Sequence, residues 1–545
     1  MWHPCRLRAA FRCRNACGRP FLNVFVMTSA LPTESAPTAS SPDAPTRATR
    51  REWIGLAVIA LPCLVYAMDL TVLNLALPAI SEHLHPSSSQ LLWIIDVYGF
   101  LVAGFLITMG TLGDRIGRRK LLLIGAAFFA VASTLAAFAD TAGMLIAMRA
   151  LLGIAGATLA PSTLSLIRNM FHDERQRQFA IGVWIASFSV GSAIGPLVGG
   201  VLLEFFWWGS VFLLALPVMA LLLMVGPSLL PEYKDPNAGR IDLISVALSL
   251  FAVLSIIYAL KQLAEHGLHT VPLALLAVGL GVGTVFIRRQ TTLDYPLLDL
   301  ALFKSRPFSA AITAYALSCL AMFGVYIYIS QYLQLVLGLS PLMAGVALLP
   351  WALGFVFGSL LSPRLSRHVA PATIMIWGLL SSSIGFALVW MAGTSWGLPA
   401  LIAGTIVMSL GMAPVFTVGN EIIVTAAPPE RAGSASAISE TSAEFSGALG
   451  IAIFGSLGTL IYRMAVSDGL PAGLSPEDRA TSLATLGGAV ATAHGAPGPI
   501  ADALLLVARD AFVSALQFTA LVGGVLVLLA GVLTARILRT MPPKG

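Results

Sequence analysis

Apolar runs long enough to cross a bilayer recur along almost the whole chain, and they decide what it can fold into. A helix needs about twenty predominantly apolar residues, at about 1.5 Å each, to cross a hydrocarbon core of about 30 Å. Fourteen stretches fit: about 53–80, 90–112, 120–139, 142–166, 178–203, 208–229, 241–260, 271–288, 308–335, 342–363, 372–392, 398–425, 434–462 and 511–536. Lipid offers no water to backbone groups, so only helices and closed barrels can span it, and runs this long exclude the barrel. The composition agrees, with 57% hydrophobic and 11% charged residues, where soluble domains carry about 25% charged residues. The expectation is an all-α integral membrane protein embedded in the lipid bilayer.

Basic residues orient the spans. With the N-terminus in the cytoplasm, 22 lysines and arginines from residue 47 onward fall inside, among them Arg47, Arg240, Arg431, Arg539 and Lys544. Only Lys261, Arg463, Arg479 and Arg509 fall outside, and Arg149 is the one basic residue left within a span. Both termini are then cytoplasmic, in the cell (inner) membrane. A pI of about 9.2 does not indicate nucleic acid, because the charges sit in short loops between spans. The five cysteines form no metal or disulfide pattern. Residues 1–26 do not read as a cleaved signal peptide, and Met27 opens a more ordinary start. Ser29–Arg50 is rich in Ser, Thr, Ala and Pro and is expected to be disordered. The one long outer loop, about 463–510, has no readable role.

Charged residues inside spans are costly, at least about 2.5–3.5 kcal/mol each, and are functional candidates by default. Asp69 lies deepest, roughly 16 Å from the outer end of its helix. Asp96 and Arg149 lie roughly 9 and 10 Å from the outer ends of theirs, so all three share the outer half of one six-helix unit. Two acids near one arginine would leave a net negative site able to take a proton. Arg149 stays charged and would tune an acid; the alternative is a static ion pair. Glu440 and Glu444 are four residues apart, on one helix face. Two like charges there suit the exchange of a proton for a cation, unless both face water at the inner mouth. Glu421 is a further candidate. Trp93, Tyr98, Trp184, Phe323, Tyr326, Tyr328 and Trp351 have π faces that suit a cation, although most aromatics in spans face lipid or core.

Two motifs stand out. In Gly110-Thr-Leu-Gly113-Asp114-Arg115-Ile-Gly117-Arg118-Arg119-Lys120, glycines allow a sharp turn and Asp114 can accept from a helix N-terminus or an arginine. In Gly191-Ser-Ala-Ile-Gly195-Pro196-Leu-Val-Gly199-Gly200, glycines permit close helix packing and Pro196 disturbs the ladder. The second reads equally as a bend that seals the bundle against leak or as ordinary tight packing.

The first motif resembles the signature loop between the second and third helices of the major facilitator superfamily. Asp69–Pro78 resembles the first-helix signature of its fourteen-span drug:proton antiporters. Arg149-Ala-Leu-Leu-Gly153-Ile-Ala-Gly156 resembles their fourth-helix arginine motif, and 191–200 their fifth-helix antiporter motif. Trp93-Ile-Ile-Asp96-Val-Tyr98 and Glu440-Thr-Ser-Ala-Glu444 resemble the quaternary-ammonium and methyl-viologen pumps of that branch. The second-half counterpart of the signature loop, near Gly358–His368, is weak: it has Arg364 and Arg367 but no acid.

The resemblance implies a major facilitator fold: six-helix bundles at 51–230 and 307–540, with two extra helices in 231–306. It implies proton-coupled efflux of small lipophilic cations by a monomer, without cofactor or metal. The sequence itself carries no phosphate-binding loop that would make ATP the energy source, and no zinc-like or serine-centred enzyme motif. The competing readings are a carrier for an endogenous metabolite and a non-transporting sensor. The membrane acids disfavour the first, and the lack of a soluble domain disfavours the second.

Overall fold

The computed structural model describes residues 48–234, 242–293, 296–392, 397–427 and 432–538. Arg47, Arg240, Arg431, Arg539 and Lys544 lie outside them, as does most of the segment expected to be disordered. Its last residues are ordered: Thr49 caps the first helix, with Glu52 reaching back in a capping box.

Among the described residues fourteen helices are long and apolar enough to cross a membrane: α1 (Arg50–Leu84), α2 (Ser88–Ile116), α3 (Arg118–Ala137), α4 (Ala142–Met170), α5 (Arg175–Phe205), α6 (Ser210–Leu229), α7 (Leu243–Ala264), α8 (Thr270–Gln290), α9 (Arg306–Val336), α10 (Pro341–Leu365), α11 (Pro371–Met391), α12 (Gly397–Thr425), α13 (Ala435–Ser467) and α14 (Gly498–Ile537). No strand occurs among the described residues. α1–α6 share one hydrophobic core, and α9–α14 build another. The exposed side chains on these helices include many large apolar ones, such as Phe128, Met224, Phe357 and Trp377, as lipid-facing surfaces require.

Several breaks have local causes. α4 is interrupted at Ala157–Thr158, where Pro161 cannot donate to the carbonyl one turn back. The turn from α2 to α3 passes through Gly117 at φ 115°, a conformation that favours glycine. The signature stretch begins inside a helix, because α2 runs on to Ile116.

The halves meet along two main seams, α2 against α13 and α5 against α10, with α1 touching α9 between them. α7 and α8 form a hairpin, and α7 lies over the α2–α13 seam. Asp242 caps α7 and binds Arg289 of α8 at 3.0 Å. Burial pushes its carboxyl up, but the bonds from Arg289 and Ser245 outweigh this and hold it below the usual carboxylate range.

The loop between α13 and α14 is shorter than 463–510, since α14 begins at Gly498. It folds into two short helices, Pro476–Ala484 and Leu486–Gly495. They rest on the end of the bundle opposite the basic loops: Ser88 donates to the Ala484 carbonyl and Tyr462 to that of Ser482 at 2.9 Å.

Candidate functional site

Between the halves lies a cavity of about 110 Å³, lined by Asn74, Asp96 and Arg149 from the first half and Phe323, Tyr326 and Glu444 from the second. Its remaining wall is apolar, with Leu70, Leu73, Ile95 and Ile451. The Asn74 Oδ1 and Tyr326 hydroxyl are buried without a hydrogen-bond partner, so the cavity keeps an acceptor and a donor unused.

Arg149 is fully buried on α4 and its Nη1 lies 2.6 Å from Asp69 Oδ2. Its Nε donates to the Ile94 carbonyl at 3.2 Å, and the guanidinium stacks 4.5 Å from the Tyr98 ring centre. The arginine therefore serves one acid. The sequence reading gave it two, and the structure corrects this: Asp96 pairs elsewhere.

The partner of Asp96 is Lys261. Its Nζ lies 2.9 and 2.8 Å from the two carboxylate oxygens, with both side chains wholly buried. The same ammonium sits 3.8 Å from the Trp93 ring centre. The sequence reading placed Lys261 in an outer loop and left Arg149 as the one basic residue within a span; both expectations are overturned. The helix that begins at Leu243 continues to His266, which carries Lys261 inside, and the side chain turns away from the membrane surface toward α2.

Glu444 accepts a hydrogen bond from the Tyr66 hydroxyl at 2.9 Å, joining α13 to α1 across the halves. Among the described residues neither Glu440 nor Glu444 makes an ion pair. Glu421 is exposed on α12 and is not brought to the cavity. Of the aromatics, Phe323 and Tyr326 line the cavity and Trp351 stacks on Tyr326 at 4.3 Å. Trp184 and Tyr328 are spent on internal hydrogen bonds, to Thr163 and to the Phe454 and Gly455 carbonyls.

The signature loop is held within the first half. Asp114 pairs with Arg118 at 2.5 Å. The acid at the N-terminus of α3 is Glu232, which the sequence reading missed. It accepts from the Arg119 and Lys120 amides at 3.1 Å each, and a side chain at Gly117 would run into it. Arg119 also donates to the Pro227 and Leu230 carbonyls at 3.0 Å, near the end of α6.

The glycines of the fifth-span motif point two ways. Gly191, Gly195 and Gly199 bring α5 against Leu64, Thr71 and Val72 of α1, within the half. Gly200 and the Pro196 carbonyl meet Pro341, Leu342 and Gly345 of α10, across the halves. Other links between halves are Ser330 to the Asn74 carbonyl at 2.7 Å and Gln334 to that of Leu75 at 3.0 Å. Among the described residues these hydrogen bonds lie at mid-depth or toward the end away from the basic loops.

The model of the Major Facilitator Superfamily matches residues 59–451. The multidrug efflux pump LfrA of Mycolicibacterium smegmatis is 46% identical over 485 residues, 89% of this chain and 96% of that protein. The methyl viologen resistance protein SmvA of Salmonella typhimurium is 37% identical over 475 residues, 85% and 93% of the two chains. Among solved structures, a bacterial homolog of the human lysosomal transporter Spinster, in an inward-facing and unoccupied conformation, superposes with a TM-score of 0.63. It covers 91% of this chain and all of its own at 16% identity, which speaks for the fold alone. The chain is a multi-pass membrane transporter of the major facilitator superfamily, in its fourteen-span form.

Proposed function

We propose that this chain exports hydrophobic, cationic compounds from the cell in exchange for protons, acting as a monomer in the cytoplasmic membrane. The observation that carries this reading is the cavity between the halves. Its wall is apolar and aromatic and includes one member of each of two buried acid–base pairs, Arg149 (paired with Asp69) and Asp96 (paired with Lys261), beside Glu444, which makes no ion pair among the described residues. An apolar cavity whose unpaired group is an acid favours a lipophilic cation over an anion, because a bound cation stabilises the ionised carboxylate. A proton on an acid removes the charge that holds the cation. Each ligand then weakens binding of the other by the same factor.

The basic loops orient the bundle with those loops and both ends of the helical array in the cytoplasm. The end that carries the links between halves then faces outward, and the cavity is reached from inside. Rocking of one half against the other would open the α5–α10 and α2–α13 seams and release the cargo outside. The glycine motif of α5 supplies a close-fitting outer seal in the present state. The names of LfrA, a multidrug efflux pump, and SmvA, a methyl viologen resistance protein, support drug efflux by this chain.

The test is efflux of an accumulated monovalent cationic dye from cells expressing the protein, with and without a proton uncoupler. Wild-type cells should lower their dye content, and the uncoupler should abolish the difference from empty cells. Asp69→Asn keeps a hydrogen-bond acceptor for Arg149 but cannot cycle a proton, so energised efflux should fall at least about tenfold at equal membrane abundance. Export that survives the uncoupler, or an unimpaired Asp69→Asn, sinks the coupling assignment.

A further inference from the structure

Lys261 reaches the site from outside the two six-helix halves. It belongs to the α7–α8 hairpin, whose first helix packs Val253, Leu254 and Ile257 against Phe100 of α2 and Ala448 and Ala452 of α13. Its ammonium is held by a carboxylate, with both oxygens within 2.9 Å, and by the face of an indole, 3.8 Å away. A carboxylate and an aromatic face are the groups that recognise an organic cation. Asp96 also lines the central cavity, so this one carboxylate meets the lysine and any cargo.

We propose that Lys261 is a tethered competitor for cationic cargo at Asp96, and that its ammonium supplies an exchanged proton. This deepens the reading of cation–proton exchange and rests on it. A cargo cation that enters the cavity draws Asp96 away from Lys261. The freed ammonium is enclosed by apolar helices, where an unpaired charge is costly. It loses a proton and stays as a neutral amine. The step balances: a cation and an Asp96–Lys261 ion pair become an Asp96–cation pair, a neutral lysine and one released proton. The net charge of the Asp96–Lys261 site is zero before and after. Return of a proton to Lys261 restores the internal pair and expels the cation.

Among the described residues few other ionisable groups stand near Lys261; His269 caps α8 at the same end of the hairpin. From α2 the charged group facing it is Asp96. From α13 the seam presents Phe445, Leu449 and Ala452, and Glu444, which lines the same cavity as Asp96. The ionisable residues of α8 are Arg288 and Arg289, at the opposite end of the hairpin. On its own helix, Glu265 follows four residues on in the sequence.

Substitutions separate exchange from a fixed ion pair because they predict opposite outcomes. Arginine keeps the charge and cannot release a proton, whereas a neutral residue leaves Asp96 itself to carry the proton in its place. The experiment adds tetraphenylphosphonium to the purified full chain in weakly buffered detergent and counts protons released per cation bound. Uphill export of the same cation is measured in vesicles.

Wild type should release protons. Lys261→Met should still release them and retain export. Lys261→Arg should release about one proton fewer per bound cation, since arginine stays charged, and lose export. The charge-balanced pair Asp96→Asn with Lys261→Gln removes the buried charges together and covers a failure of either single variant to fold. It too should release about one proton fewer, having neither exchangeable group. If Lys261→Arg, or the double variant, matches wild type in proton count and export, Lys261 is a structural counter-ion and the inference is overturned. If wild type itself releases no proton, the exchange reading and this inference fall together.

Discussion

Glu444 touches both halves, through its own helix and through the hydroxyl of Tyr66, and among the described residues it has no basic partner. Removing it should therefore act on the cargo's charge more than on the fold. Each unit of cargo charge loses the same Coulomb increment, so the fold-loss for a dication should be about the square of that for a monocation of similar shape. The check is the Kd of a mono- and a bis-quaternary dye for wild type, Glu444→Gln and Glu440→Gln. Equal losses for the two dyes would show that neither glutamate reads charge. The sequence made the acids legible because a carboxylate in a hydrophobic run is conspicuous. It did not make their partners legible. Lys261 stands near the end of its run, where a long side chain can snorkel to the surface, so it read as a loop residue. The available signal was depth: Lys261 and Asp96 both lie within about 8–12 Å of the same end of the bundle, and unlike charges at matched depth in apolar helices tend to find each other. Arg149 was placed correctly at the acids' level, but depth alone cannot tell which of two acids lies across from it.

At the scale of elements, the turn between α2 and α3 shows how a short motif divides its work. Gly117 supplies the backbone geometry, Asp114 binds Arg118, and Glu232 from beyond α6 closes the start of α3. All these contacts stay within one half, so the motif stiffens the half that rocks. Asp114→Asn weakens the Arg118 pair without removing a core side chain. It should leave cargo Kd within about twofold, a surface-level change of under about 0.5 kcal/mol, and slow exchange several-fold. Stopped-flow exchange of a fluorescent cation, beside equilibrium binding, separates the two. A collapse of affinity with normal exchange per bound cation would show that the motif acts on binding and not on the rocking of the halves. Spans were legible here because hydropathy reports length and sign directly. Glu232 was not, because it sits roughly 110 residues from its partners and nothing local to it marks a cap. The loop after α13 was illegible for a similar reason. Its helices are short and become ordered by resting on Ser81 and Ser88 of the opposite half.

For the whole molecule, the balance of basic residues gives an orientation that labelling can test. Single cysteines at Ser87 and Ser475 should react with an impermeant maleimide in intact cells, whereas cysteines at the exposed Lys120 and Arg536 should react only after permeabilisation. The reverse pattern would invert the bundle, and with it the side from which the cavity is reached. The hairpin of α7 and α8 looks in chain order like a late insertion between two self-sufficient halves. It is tied to the first half by a buried ion pair. A twelve-helix chain spliced across the hairpin would keep Asp96 in a hydrophobic interior with its counter-ion gone, an acid that must then hold a proton to stay there. The hairpin thus sets the resting charge of a carboxylate that it does not itself carry.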